Sequence, residues 1–150
     1  MLLRLGAVAL LCAALTGCTP GEYKGRVIAG LDDNGALVAV LGVCDENIHA
    51  KMTIYTVREK RSDDQGLDRV AEAERDDASV GMRVELRPDE APDAWTSDLW
   101  SIPDHGTIRV GVQTLSSRGQ QHQILEGAEI DLATAPSLPD DATKLATEDC

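Results

Sequence analysis

Four cysteines, three histidines and several adjacent carboxylates are the side chains whose types could carry chemistry in this chain. A thiol can act as nucleophile, metal ligand or redox partner, and an imidazole can act as a base, but each role needs company at a defined spacing. That company is missing. No Cys-x-x-Cys pair and no Cys/His spacing of a zinc or redox site occurs, and neither a Gly-x-Ser-x-Gly elbow nor a phosphate-binding loop is present. His49, His105 and His122 stand alone in or beside turn-forming stretches. The pairs Asp32-Asp33, Asp63-Asp64, Asp76-Asp77 and Asp140-Asp141 are sequence neighbours on loops. A glycosidase needs two carboxyl groups held roughly 5–9.5 Å apart across a substrate, so these pairs read as solvated charge. Their alternative use is to bind a cation or small solute. Asp32-Asp33-Asn34-Gly35 lacks the alternating ligands and distal Glu of a calcium loop and reads as a hairpin turn. No catalytic residue, metal or cofactor is expected.

The N-terminal stretch has a different logic. Arg4 precedes the uncharged apolar run Leu5–Leu15, and small residues Thr16 and Gly17 follow it. These are the three parts of a secretory signal. The run is shorter than the ~20 apolar residues a spanning helix needs. Leu15-Thr16-Gly17-Cys18 resembles the lipobox of bacterial lipoproteins. The resemblance implies a diacylglyceryl group on the Cys18 thiol and cleavage just before it. Residues 1–17 are then a signal peptide, 18–22 a lipidated tether and 23–150 the domain it carries. Two acyl chains give durable membrane attachment where one is marginal. The short tether Thr19-Pro20-Gly21-Glu22 keeps the domain within about 15 Å of the surface, at roughly 3.3–3.6 Å per extended residue.

With Cys12 in the discarded signal and Cys18 lipidated, two cysteines remain, Cys44 and Cys150. An even pair in an oxidising extracytoplasmic setting implies a disulfide. The chain carries 14 Lys+Arg against 26 Asp+Glu, a formal −12. Removing the signal takes away one Arg and no acid, so the mature chain stands at −13. Such a surface repels nucleic acid and anionic headgroups, and no nucleic-acid partner is expected.

The elements follow from periodicity and turn chemistry. Residues 24–31 and the almost wholly apolar 36–43 read as strands joined through Asn34-Gly35, the second covered on both faces. Residues 51–57 are β-branched and aromatic, hence a strand. Residues 58–77 are highly charged and read as an exposed loop with a turn of helix, capped at Ser62-Asp63-Asp64-Gln65. Residues 78–87 alternate strictly, with Val80, Met82, Val84 and Leu86 on one face, and read as the clearest strand. Residues 107–114 alternate through Ile108, Val110 and Val112. One or two strands follow in 121–132, then a Pro- and Asp-rich tail with a helical turn near Lys144-Leu145. Of the two tryptophans, Trp100 lies in apolar surroundings and is expected to anchor the core. Trp95 lies among Pro92, Asp93, Ala94 and Thr96 and is expected to be tucked onto the domain as a lid, or else exposed as a partner contact.

About seven short strands separated by turn signals imply an all-β antiparallel sandwich. Ser101-Ile102-Pro103-Asp104-His105-Gly106-Thr107-Ile108-Arg109-Val110 resembles the turn into an alternating strand of fibronectin type III domains, with Ile108 where that family favours Tyr. The resemblance implies an Ig-like or fibronectin-III-like fold. More broadly, Val43-Cys44, the strand Met52-Thr53-Ile54-Tyr55, a mid-chain Trp and a late alternating strand resemble small actinobacterial envelope lipoproteins. The expected function is a non-catalytic interaction or structural module displayed at the bacterial envelope. Membrane lipid is its partner through Cys18, and an envelope protein or glycan is its partner through the domain.

Overall fold

The computed structural model describes residues 24–58, 66–115 and 121–150. The signal segment, Cys18, the tether, the Ser62–Gln65 cap and the turn at 116–119 lie outside the described residues. The strands are β1 (Val27–Leu31), β2 (Leu37–Leu41), β3 (Ile48–Val57), β4 (Leu67–Ala78), β5 (Arg83–Glu85), β6 (Thr96–Trp100), β7 (Thr107–Leu115), β8 (Gln121–Ile124) and β9 (Ala128–Asp131). A 3-10 turn (Leu132–Thr134) and one short helix, α1 (Ala142–Ala146), complete the elements among the described residues. Two antiparallel sheets result, β1-β2-β5 and β6-β4-β3-β7-β8, with β9 also on β7. This is the all-β sandwich that the strand pattern implies, with more strands than the seven expected.

The first hairpin forms where turn chemistry places it. The Asp32 carboxylate accepts from Asn34 N–H and Ala36 N–H, both at 2.9 Å. Gly35 takes φ +78°, a conformation that glycine adopts without a Cβ penalty. β1 and β2 then pair from Leu31↔Leu37 to Val27↔Leu41. β2 is covered on both faces, as its continuous apolar run requires. Ala39 and Leu41 enter the main core, while Val40 packs with Ala142 and Ala146 of α1. The main core joins these to Met52, Ile54, Ala71, Ala73, Ile108, Val110 and Val112 from the larger sheet.

β8 and β9 are one interrupted strand along the edge of β7, pairing with Gln113–Leu115 and Thr107–Val110 in turn. At the interruption Glu126 bonds across to the other sheet. Its carbonyl accepts from Val27 N–H at 2.8 Å and its N–H donates to Gly25 O at 3.1 Å. The two sheets are thus stitched together along this edge. At the opposite edge Trp100 Nε1–H donates to Arg87 O at 2.8 Å and Ile102 N–H to Pro88 O at 2.9 Å.

Two elements differ from expectation. Residues 67–78 form the long strand β4 and not an exposed loop. Its inward residues are Ala71 and Ala73, both buried, and alanines give a weak strand signal although they alternate with Glu72 and Glu74. Conversely, the strictly alternating stretch 78–87 is not one strand. Ala78 ends β4, Met82 N–H bonds back to Ser79 O, and Gly81 takes φ +62°. The turn leaves Val80 exposed at 40 % and only Arg83–Glu85 in the sheet.

Candidate functional site

Period two in β3 and β7 sends Met52, Ile54, Ile108, Val110 and Val112 inward. It sends Lys51, Thr53, Tyr55, Arg109, Gly111 and Gln113 to the outer face of the larger sheet. Register sets these in rows. Tyr55 lies between Arg69 of β4 and Arg109 of β7, and Arg109 pairs with Glu129 of β9. Thr53 lies between Glu72 and Gly111, and Lys51 between Glu74 and Gln113. A register shift between Ile54 and Tyr55 brings Arg69 opposite Tyr55. The rows line an open trough of about 780 Å³, with Leu125, Glu126 and Gly127 along one wall.

Gly111 leaves open space over its backbone in the trough lining. An added Cβ there would meet only the Thr53 carbonyl oxygen, at 3.9 Å. No steric demand calls for glycine. A glycine inside a strand weakens it and often marks a place where something approaches the backbone closely.

The trough is charged but balanced. Lys51 Nζ lies 3.0 Å from Glu72 Oε1, and Arg69 Nη1 lies 2.8 Å from Glu72 Oε2, so one carboxylate serves two cations. Arg109 Nη2 lies 2.8 Å from Glu129 Oε2. The lining holds Lys51, Arg69 and Arg109 against Glu72, Glu126 and Glu129, which cancel formally in a chain of net −12. The hydrogen bond from Lys51 holds the Glu72 carboxyl below the usual glutamate range, against an opposing contribution from burial. These groups can donate and accept hydrogen bonds and offer an aromatic surface, which is the chemistry of recognition.

The residues singled out in the sequence lie elsewhere. Cys44 and Cys150 are joined, with their Cα atoms 5.4 Å apart. Around them is a crowded corner. The Gln123 side chain, 7 % exposed, accepts from Cys44 N–H at 3.4 Å and donates to Gly42 O at 3.3 Å and to Lys24 O. Gly42 N–H bonds to Arg26 O, and Arg26 N–H to Ala146 O, both at 2.9 Å.

Trp100, expected to anchor the core, is only half-buried against it. Trp95 is the tucked lid of its two readings, 7 % exposed and part of the main core. Ala94 before it takes φ +65°, and Trp95 N–H closes the turn onto Pro92 O at 3.0 Å. A non-glycine residue in that conformation costs roughly 1–2 kcal/mol, which burial of a large aromatic offsets.

Of the acidic pairs, Asp76-Asp77 engages nearby side chains, and Asp63-Asp64 lies outside the described residues. Asp76 meets His49 Nδ1 at 2.7 Å, with Glu74 3.4 Å from the other ring nitrogen. Asp77 is held ionised by the hydrogen bond from Arg75. His105 contacts Asp104 in an exposed turn. Among the described residues no three His, Cys, Asp or Glu side chains converge as a metal site.

The trough residues were missed because sequence pattern had identified the inward half of each strand. The outward half, Thr53-x-Tyr55 and Arg109-x-Gly111-x-Gln113, was available at the alternate positions. Gly111 breaking an otherwise β-favouring run was the one local signal. Compared with protein family models, with curated proteins and with solved structures, the chain matches none.

Proposed function

We propose that this chain is an extracytoplasmic lipoprotein of a bacterial envelope. Lipid on Cys18 anchors it, and its domain is a non-catalytic module that binds a partner in the trough. The observation that carries the binding role is the balanced, open trough on the outer face of the larger sheet, lined in part by a glycine with open space over its backbone. The anchor is supported by the order Arg4, Leu5–Leu15, Leu15-Thr16-Gly17-Cys18, and an oxidising address by the Cys44–Cys150 disulfide. No helix among the described residues is long and apolar enough to cross a membrane.

The anchor is tested by the intact mass of protein extracted from the native cell. The expected mass is that of residues 18–150 plus a diacylglyceryl group, and Cys18→Ala leaves the protein unprocessed and free of the membrane fraction. Normal membrane attachment of that variant overturns the anchor. The binding role is tested by a photo-crosslinking residue placed at Gln113 in cells, with Asp140 as the remote control. Adducts from position 113 and none from 140 are expected; no adduct from 113 overturns the trough as the binding face.

A further inference from the structure

We infer that the ligand of the trough is a neutral oligosaccharide, an inference that rests on the trough being the binding face. Charge is the first argument. In a strongly acidic chain the trough lining is formally neutral, and each of its three cations already has a carboxylate at 2.8–3.0 Å. An anionic ligand such as a phosphate would have to draw Lys51, Arg69 or Arg109 away, leaving Glu72 or Glu129 unpaired beside it. A cation would face the mirror-image loss at Glu72 and Glu129, and would have Glu126 alone as a single further carboxylate. A neutral polyol requires neither separation.

Hydrogen-bonding capacity is the second argument. A sugar hydroxyl is one donor and two acceptors. The Arg109–Glu129 and Arg69–Glu72–Lys51 groups present donors and acceptors side by side on both flanks, and Thr53 and Gln113 can do both between them. A vicinal pair of hydroxyls can therefore bond to a guanidinium and its carboxylate without disturbing either. Such pairs are charge-assisted and stronger than neutral ones.

Shape is the third argument. Tyr55 supplies an apolar body with a polar tip in the middle of a polar row. Gly111, in the adjoining row, leaves the backbone bare. A pyranose or furanose ring is rigid, with C–H faces and a hydroxyl rim. It fits a floor of bare backbone and aromatic surface walled by paired charges. The volume of about 780 Å³ is in the upper part of the ~300–1,000 Å³ typical of ligand sites, which suits an oligomer better than a single sugar. A protein partner would call for an apolar anchor pocket, and the apolar lining residues Val112 and Leu125 are only 3 % and 2 % exposed and belong to the core.

The test uses the mature chain with its disulfide intact. Neutral hexasaccharides of glucose, mannose, galactose, arabinose and N-acetylglucosamine are titrated by calorimetry and amide shift mapping. Inorganic phosphate and a sulfated hexasaccharide serve as charged controls. At least one neutral probe is expected to bind saturably and to shift the Thr53, Gly111 and Gln113 amides. Tyr55→Ala is expected to weaken it at least about tenfold, and Gly111→Val to abolish it while the melting temperature holds. Failure of every neutral probe, tighter binding of a charged control, or undiminished binding by both variants overturns the saccharide class. If adducts still form from position 113 in cells, the binding face stands and only its ligand class falls. If they do not, both readings fall together.

Discussion

At Gly42 an added Cβ would lie 1.9 Å from the Ala146 carbonyl oxygen, and at Gly111 it would meet nothing nearer than the Thr53 carbonyl oxygen at 3.9 Å. Both glycines lie in or at the end of strands of one sandwich, but they answer to different demands. Gly42 sits where β2, the segment before β1, α1 and the disulfide converge, and backbone fills the space a side chain would take. Gly111 sits where three strands present a polar face and nothing fills the space. The first glycine is required for the chain to close. The second lowers strand stability and meets no steric demand of the fold, and under the proposed function it leaves room for a ligand. Cys44–Cys150 and Gln123 belong with the first region, Tyr55 and the Lys51–Glu72–Arg69 group with the second.

If the contrast is sound, damage in the corner should lower stability and leave the trough unchanged. Cys150→Ser should have the largest effect. The bridge closes a sequence separation of 106 residues, and its loss should cost roughly 2–5 kcal/mol in denaturant unfolding. The Thr53, Tyr55 and Gly111 amide shifts of the folded fraction should be unmoved; large shifts there would show that the two regions are coupled. Gly42→Ala comes next, at about 1–3 kcal/mol or more, because backbone must move to admit the methyl. A neutral outcome would mean that the corner is less crowded than the distances say.

Gly111→Ala should run the other way, between no change and a gain of up to ~1 kcal/mol, since glycine inside a strand is unfavourable by about that amount. A loss greater than ~1 kcal/mol would make Gly111 structural and erase the contrast. The smallest effect concerns acid. Glu72 has its pKa lowered in the fold by the Lys51 hydrogen bond. Its contribution is therefore present above the ordinary glutamate value of ~4.3 and is lost as pH falls through the depressed folded value. Lys51→Met should flatten the acid limb of the stability curve below about pH 4, by ~0.2–1 kcal/mol, as for a pair that keeps some solvent contact. The same slope in both proteins would show that the pair adds nothing.

How legible each region was follows from how local its causes are. The Asp32–Gly35 hairpin, β2 and β7 were all readable, because an Asx-type turn, a glycine at φ +78° and an apolar run or strict alternation are properties of a few consecutive residues. Strand β4 was obscured because its inward side chains are alanines. Residues 78–87 misled because alternation continues across a turn that one glycine can make. Trp95 left two readings open for a related reason. Polar neighbours indicate a loop, but only the conformation of Ala94 decides which way the next side chain points.

The sequence by itself determined the class of fold, the place of the first hairpin and the disulfide. The first two rest on near-neighbour chemistry, and the third on two thiols remaining once the lipobox reading assigns the other two. The trough was decided only by tertiary structure. Tyr55, Arg69 and Arg109 share a row because β3 pairs with β4 through a register shift on one side and with β7 on the other. A shift of one residue would turn each of those side chains to the opposite face. Register between strands distant in sequence is set by the packing of the whole core, and no local pattern carries it.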